Sequence, residues 1–387
     1  MRVLIAEDDA VVRTVLRQLV QQLGAEPVVA ANGDEAWALH QEQRCGAVIS
    51  DWSMPGIDGL GLLQRIRQLD GENFYTYFIL LTAHDAPEAV EQAIAAGVDD
   101  HLGKPVKKAE LMARLSVASR IVALHQGIAE RNRLLAEANR RMRRDLAAAA
   151  SAQKGLLPTQ LPELPGLAIG WRYQPCEECA GDLLGVQRVG DDRLALHLFD
   201  VSGHGVASAL LAVQVARVLP GLVREDPRPM AVAEALNAIF YSAKSLRFLT
   251  LVYGLLDLRT HRLSLVSCAH PPPLVLRADG TLATEEVSAH PIGMFPAGQA
   301  RFHAWEIDLG PGDRILFCSD GVHEAPGHDP LDPWAPFGHE RLEATWREAR
   351  AQPFEDSLTA VMDALAVWRG TGRIADDITL LGVERTR

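Results

Sequence analysis

Val3-Leu4-Ile5-Ala6-Glu7-Asp8-Asp9 runs four apolar residues straight into three carboxylates. A short, unbroken apolar run reads as a strand buried on both faces, and acids at its end then sit on the edge of a sheet. The pattern returns at Ala47-Val48-Ile49-Ser50, followed by Asp51, and at Phe78-Ile79-Leu80-Leu81, followed by Thr82, with amphipathic helical stretches between. This alternation predicts an α/β fold with a doubly wound parallel sheet. Ligands of such sheets bind beyond the carboxyl ends of the strands, so three separate segments deliver polar groups to one edge.

An aspartate beside two further carboxylates is electrostatically costly, and the usual remedy is a divalent cation. Mg²⁺ suits the place because it takes few protein carboxylates and keeps waters and phosphate oxygens as its other ligands. Asp51 can then act as a nucleophile toward a phosphoryl donor. Lys104 neutralises charge on the transferred group and the Thr82 hydroxyl donates a hydrogen bond to it. Each piece alone has a bland reading: an acidic pair after a strand commonly caps a helix, and Lys-Pro is a common loop step. The conjunction is specific, with Ala6-Glu7-Asp8-Asp9, Asp51-Trp52-Ser53-Met54-Pro55-Gly56-Ile57-Asp58-Gly59, Leu81-Thr82-Ala83 and Asp99-Asp100-His101-Leu102-Gly103-Lys104-Pro105 in this order.

On these motifs, residues 1–120 resemble the receiver domain of two-component response regulators, which has a flavodoxin-like sheet. The resemblance implies Glu7 and Asp8 as the acidic pocket, Asp51 as phosphoacceptor and metal ligand, and the Ser53 carbonyl as a further ligand of Mg²⁺. It also implies Thr82 as the switch hydroxyl, Lys104 as the counter-ion of the phosphate, and a sensor histidine kinase or phosphotransfer protein as donor. His101 departs from the pattern, standing where the family usually carries an aromatic Tyr or Phe that swings inward.

From about Lys107 to Gly155 there is no proline and one internal glycine, Gly127, and Ile121, Ile128, Leu135, Met142, Ala149 and Leu156 recur every seven residues. The pattern predicts one long helix, with residues 121–155 as a linker between domains. Its second seam is poor, holding Leu124, Arg131, Ala138, Asp145 and Ala152, so a homodimeric coiled coil and a lone helix docked on a domain both stay open. Arginines at 131, 133, 140, 141, 143 and 144 read as a solvated face rather than an anion-binding stripe.

Pro158, Pro162 and Pro165 mark a boundary, after which strand patterns at 194–199, 250–257, 263–267 and 314–318 mix with helical patterns at 206–219, 230–242 and 354–369. Residues 156–387 therefore predict a second, layered α/β domain. Its aspartates fall beside glycines or strand ends: Gly181-Asp182, Asp200-Val201-Ser202-Gly203-His204-Gly205, Ser319-Asp320-Gly321 and Asp376-Asp377-Ile378-Thr379. Glycine lets the backbone turn sharply and bring a carbonyl close to an ion. Oxygen donors without sulfur or imidazole point to Mg²⁺ or Mn²⁺. Two such ions roughly 3.5–4 Å apart can share a water, lower its pKa and hold it in line with a phosphoester. Singly, Ser-Asp-Gly and Asp-Asp are turn chemistry and Asp-Val-Ser-Gly is a helix cap.

With Leu156-Leu157-Pro158, Phe248-Leu249-Thr250-Leu251-Val252-Tyr253-Gly254, Ala269-His270-Pro271-Pro272-Pro273 and Gly312-Asp313-Arg314-Ile315-Leu316 in support, residues 156–383 resemble the metal-dependent Ser/Thr protein phosphatases of the PPM family, in the SpoIIE/RsbU-type branch. The resemblance implies an α/β sandwich and two Mn²⁺ or Mg²⁺. In it Asp200 bridges both ions and is the central catalytic group, Asp182 and the Val201 carbonyl complete one site, and Asp320 with Asp376 hold the other. Asp377 is the less apt member of its pair. Ala180 replaces a glycine usual in this branch, and His204 stands where Lys or His is common. The branch's substrates are phosphorylated anti-sigma-factor antagonists.

Cys176-Glu177-Glu178-Cys179 has metal-ligand spacing but no second pair, so two ordinary thiols are expected there. His270 reads as a structural turn residue. A net charge of −12 over 387 residues disfavours nucleic acid as a partner. Five scattered cysteines suit a reducing cytoplasm. The longest apolar stretch, Leu210 to Val223, is broken by Gln214, Arg217 and Pro220, so no membrane span is expected. Together these features predict a response regulator whose output is a metal-dependent phosphoserine/phosphothreonine phosphatase gated at Asp51. The rival is a non-catalytic phosphatase-fold adaptor that binds a partner protein under receiver control.

Overall fold

The computed structural model describes residues 1–386 except 72–73, 83–90, 92, 204, 244–246, 329–331 and 333–334. Met1–Arg141 and Met142–Arg387 form two compact units.

In the first unit, β1 (Arg2–Ala6), β2 (Glu26–Ala30), β3 (Ala47–Asp51), β4 (Tyr77–Thr82) and β5 (Asp100–Gly103) make a wholly parallel sheet in the order β2-β1-β3-β4-β5. The expected doubly wound topology is present. Period-two alternation splits each central strand between two cores, with Val3, Ile5, Ile49, Ile79 and Leu81 on one face and Leu4, Val48, Phe78 and Leu80 on the other. Fully burying such a side chain contributes roughly 1.5–3 kcal/mol, which is why these strands lack polar residues until their ends. Helices α1 (Ala10–Gln22), α2 (Gly33–Gln43) and α3 (Gly59–Leu69) start where Asp9, Asn32 and Asp58 accept hydrogen bonds from first-turn N–H groups. Gly59 is required by crowding, since a Cβ there would lie 2.4 Å from the Asp51 carbonyl oxygen.

Helix α4 (Lys108–Lys154) is continuous over 47 residues. Leu111, Leu115, Ala118 and Val122, at helical spacing, are buried in one of the receiver-type cores. His125 stacks on Tyr75, ring centroids 4.5 Å apart. Beyond that the apolar residues emerge: Leu124, Ile128, Leu135 and Met142 are 56–66% exposed.

The second unit holds two antiparallel sheets. One comprises β7 (Leu183–Val189), β8 (Arg193–Val201), β9 (Leu249–Asp257), β10 (Arg262–Cys268) and β13 (His303–Asp308), in the order β13-β10-β9-β8-β7. The other comprises β6 (Leu167–Gln174), β11 (Leu274–Leu276), β12 (Leu282–Ala283), β14 (Arg314–Cys318) and β15 (Ile378–Arg385), in the order β12-β11-β14-β15-β6. Leu196, Leu198, Val252 and Leu265 of the first sheet share a core with Ile169, Ile315, Phe317 and Leu381 of the second, so the sheets pack face to face. Helices α5 (Val206–Glu225) and α6 (Pro229–Phe240) cover the first sheet; α8 (Gly338–Glu348) and α9 (Phe354–Arg369) cover the second, and α7 (Asp320–His323) is a single turn after β14.

Helix α5 corrects the expectation about apolar segments. It continues through Pro220 to Glu225 and is, by length and composition, apolar enough to cross a membrane. Ala212, Val215, Leu219 and Val223 are instead buried in the core cluster that includes the first sheet, against whose β7 and β8 the helix packs, which accounts for its composition.

Candidate active site and receiver pocket

The carboxyl ends of β1, β3 and β5 bring Glu7, Asp8, Asp51 and Lys104 together. One carboxylate oxygen each from Glu7, Asp8 and Asp51 lies within 4.8 Å of the others. Lys104 Nζ bridges them, 2.8 Å from Glu7 Oε2 and 2.9 Å from Asp51 Oδ2. Glu7 is fully buried, and burial pushes its carboxyl pKa up, with Asp51 adding to the rise and Lys104 opposing it. Arg13 donates to the Glu7 and Asp8 carbonyls, fixing the turn that presents the acids. Thr82 ends β4, buried, and its carbonyl accepts from Lys104 N–H at 2.9 Å. Ser53 lies exposed in the loop after β3. His101 sits half-buried in β5 opposite Leu80. Ala83 lies outside the described residues.

The second constellation forms at one end of the two-sheet sandwich, where Asp182 precedes β7, Asp200 closes β8, Asp320 opens α7 and Asp376 precedes β15. Asp182 is buried, and its Oδ2 accepts from Thr379 Oγ1 at 2.6 Å. Its carboxyl pKa is raised by burial first and then by the Asp200 and Asp377 charges. Burial, then the charges of Asp320, Asp376 and Asp377, push Asp200 up to about 7; a hydrogen bond to Asp182 opposes the rise. Burial, Asp376 and Glu324 push Asp320 up to about 6. Burial and one another's or Asp376's charge thus make Asp182, Asp200 and Asp320 hold their protons, the electrostatic cost that a bound cation relieves.

The cradle itself is formed by glycine. A Cβ on Gly181 would lie 2.9 Å from Asp200 Oδ1 and 2.9 Å from the Val201 carbonyl oxygen, so a side chain there would fill the space those two oxygens face. At Gly321 a Cβ would collide with the Asp377 carbonyl, which keeps the Asp320 turn pressed against the 376–377 turn. These donors are all hard oxygens on short loops, and they fit Mn²⁺ or Mg²⁺. His204 lies outside the described residues.

Three residues have supporting roles that the sequence did not assign to them. Asp377 is buried and ties down the 176–181 loop, its Oδ1 accepting from Cys176 N–H at 2.8 Å and its Oδ2 from Gly181 N–H at 2.7 Å. Ser319 Oγ donates to the Asp377 carbonyl and accepts from Thr379 N–H, at 3.1 and 3.0 Å. Gln153, near the end of α4 and 4% exposed, donates to the Ala180 carbonyl at 2.6 Å and accepts from Ala180 N–H at 3.1 Å. A lone polar residue near a helix end carries no signal of such a role. Cys179 Sγ faces the Leu146 carbonyl at 3.7 Å, whereas the Cys176 sulfur lies within 4.8 Å of the Asp376 and Asp377 carboxylates. His270 is buried, with Nδ1 2.7 Å from Thr250 Oγ1.

Comparison with known proteins agrees with this anatomy. The profile of the stage II sporulation protein E (SpoIIE) family matches residues 190–386, and that of the response regulator receiver domain matches residues 3–116. Phosphoserine phosphatase RsbP of Bacillus subtilis is 26% identical over 185 residues, 46% of this chain and 45% of that protein. The Regulator of RpoS of Escherichia coli is 27% identical over 225 residues, 58% of this chain and 66% of that protein. The chain thus spans about half the length of the curated relatives it matches. Among solved structures, the SiaA PP2C domain of Pseudomonas aeruginosa superposes with TM-score 0.56 at 19% identity, covering 64% of this chain and 98% of that one. The RsbU and RsbW domains from Mycobacterium tuberculosis give 0.52 at 26%, covering 60% and 63%. With its four loop aspartates on a PPM-type sandwich and an N-terminal receiver domain, the chain belongs to the SpoIIE family.

Proposed function

We propose that the chain is a two-component response regulator whose output is a metal-dependent phosphoserine/phosphothreonine protein phosphatase, controlled by phosphorylation of Asp51. The observation that carries this reading is that the carboxyls of Asp182, Asp200 and Asp320 are raised by burial and by one another's or Asp376's charge, beside a cradle at Asp200 and the Val201 carbonyl that Gly181 keeps open. Asp182, Asp200 and the Val201 carbonyl would hold one divalent ion, and Asp320 and Asp376 with Asp200 the other. When bound, the ions supply Lewis acidity and a water acidic enough to attack a phosphoester at neutral pH. The protein's own residues fix the geometry: Thr379 orients Asp182, Asp377 pins the 176–182 loop, and Ser319 ties β14 to β15. No side chain has to form a covalent intermediate.

Residues 1–120 serve as the regulatory domain, 121–155 as the linker and 156–387 as the phosphatase. Glu7, Asp8, Asp51 and the Ser53 carbonyl would hold Mg²⁺, a sensor histidine kinase or phosphotransfer protein supplies the phosphoryl group, Asp51 receives it, and Thr82 and Lys104 bind it by hydrogen bond and charge. A phosphate shifts such an equilibrium only by its differential interaction with two states. The element suited to carry that difference is α4, which leaves the receiver core at Val122 and delivers Gln153 to the residue before the metal loop. Its exposed Ile128, Leu135 and Met142, seven residues apart, favour pairing with a second copy. The likeness to the phosphoserine phosphatase RsbP supports a phosphoserine substrate; a phosphorylated anti-sigma-factor antagonist as that substrate, and a cytoplasmic setting, follow from the SpoIIE/RsbU-type reading of the motifs.

The test is release of inorganic phosphate from a phosphoserine peptide by the full chain with Mn²⁺, with and without acetyl phosphate to load Asp51. The proposal expects release that stops on chelation and changes rate with acetyl phosphate. Release that ignores chelation contradicts the metal reading, and a rate indifferent to acetyl phosphate contradicts the regulatory one.

A further inference from the structure

Among the described residues, Cys176 is the cysteine of the second unit whose sulfur comes within metal-ligand reach of two carboxylates. Its sulfur and one oxygen each of Asp376 and Asp377 all lie within 4.8 Å of one another. Bonds of roughly 2.0–2.3 Å to a tetrahedral zinc place its ligands about 3.5 Å apart, so small side-chain movements bring the three donors onto one ion. Backbone hydrogen bonds hold two of them in place. Cys176 N–H and Gly181 N–H both donate to Asp377, and Asp377 N–H donates to Asp376 Oδ1 at 2.8 Å. Asp376 is exposed, leaving a side open for water as a fourth ligand.

We propose that Cys176, Asp376 and Asp377 form a second, inhibitory metal site that takes a thiophilic divalent cation, Zn²⁺ or Cd²⁺. The donor set separates it from the neighbouring centre, because thiolate favours zinc and cadmium whereas Mg²⁺ and Mn²⁺ favour oxygen. On binding, the Cys176 thiol gives its proton to solvent and the sulfur becomes a ligand. The site shares Asp376 with the catalytic centre and grips Asp377, the clamp of the 176–182 loop. Filling it therefore draws one ligand from the catalytic ions and pulls on the loop that carries Asp182. The binding stands on geometry alone; the inhibition rests on the phosphatase reading above.

The test titrates Cd²⁺ into the full chain with Mn²⁺ present, following thiolate-to-cadmium charge-transfer absorption and p-nitrophenyl phosphate hydrolysis together. The native protein is expected to develop the absorption with one equivalent and to lose hydrolysis at least about tenfold. Cys176→Ser is expected to keep Mn²⁺-dependent hydrolysis within about twofold, to lack that absorption and to need at least about tenfold more Cd²⁺ for inhibition. Cys179→Ser, whose sulfur faces the α4 backbone, is expected to behave as native. Equal absorption in Cys176→Ser, or none in the native protein, overturns the site. Absorption that depends on Cys176 in a protein that hydrolyses nothing upholds the site and overturns the phosphatase reading instead.

Discussion

Gln153 holds Ala180 by both faces of its amide, Nε2 donating to the carbonyl at 2.6 Å and Oε1 accepting the N–H at 3.1 Å. Ala180 is the residue before Gly181 and Asp182, so two hydrogen bonds tie the end of α4 to the loop that carries Asp182. Gln153→Ala strands both Ala180 backbone groups in a buried place, at about 1–3 kcal/mol for each unsatisfied group. The variant is expected to need about 10–100-fold more Mn²⁺ for half-maximal hydrolysis, with Gln153→Glu in between because it keeps only the acceptor. Rate against Mn²⁺ concentration checks this; unchanged curves would remove Gln153 from the path.

The raised carboxyls set the pH dependence of the metal-free protein. Asp200, at about 7, and Asp320, at about 6, both bind protons more tightly folded than unfolded. Their ionisation therefore costs stability, absent below about pH 4 and complete above the folded values, so the metal-free Tm falls as pH rises from about 5 to 7.5. Saturating Mn²⁺ is expected to flatten this slope, and Asp200→Asn to reduce it without metal. Thermal melts across that window decide the matter, a metal-free Tm rising through it being the contrary result.

At the receiver, Lys104 Nζ already pairs with the Asp51 carboxylate at 2.9 Å. Asp51→Asn keeps the shape and removes the nucleophile. It is expected to hydrolyse p-nitrophenyl phosphate at the native basal rate while losing all response to acetyl phosphate and Mg²⁺. A variant that still responds places the phosphoryl group elsewhere.

The exposed seam of α4 makes a prediction about assembly. Replacing Ile128 and Leu135, both more than half exposed, with aspartate puts like charges face to face in any parallel pair. Sedimentation is expected to show the native chain as a dimer and the double variant as a monomer with an unchanged melting temperature. A native chain that stays monomeric at tens of micromolar rejects the pairing.

The receiver fold was legible because its strands are buried on both faces, so Val3 to Ala6, Ala47 to Ser50 and Phe78 to Leu81 read as apolar blocks with their acids at one end. The aspartates of the second site were legible through their glycines, Gly181 and Gly321, each at a real collision point. Much of the sandwich was not. Strand β13 alternates half-buried and exposed residues in a polar sequence, and β6 carries Arg172 and Gln174 on a mostly half-buried strand. Helix α5 continues through Pro220, past the expected stop at Leu219. Asp377 and Gln153 act through backbone atoms distant in sequence, and nothing local in either stretch announces a partner 27 or about 200 residues away.

The central claim is that Asp200, between Asp182 and the Asp320–Asp376 pair, makes the second unit an enzyme. Initial rates of phosphate release from a phosphoserine peptide, for the native chain and Asp200→Ala in saturating Mn²⁺, test it most directly. The account predicts a fall of at least about 100-fold in a variant that stays folded. Equal inertness of both proteins, with partner binding intact, would contradict it and make the chain an adaptor.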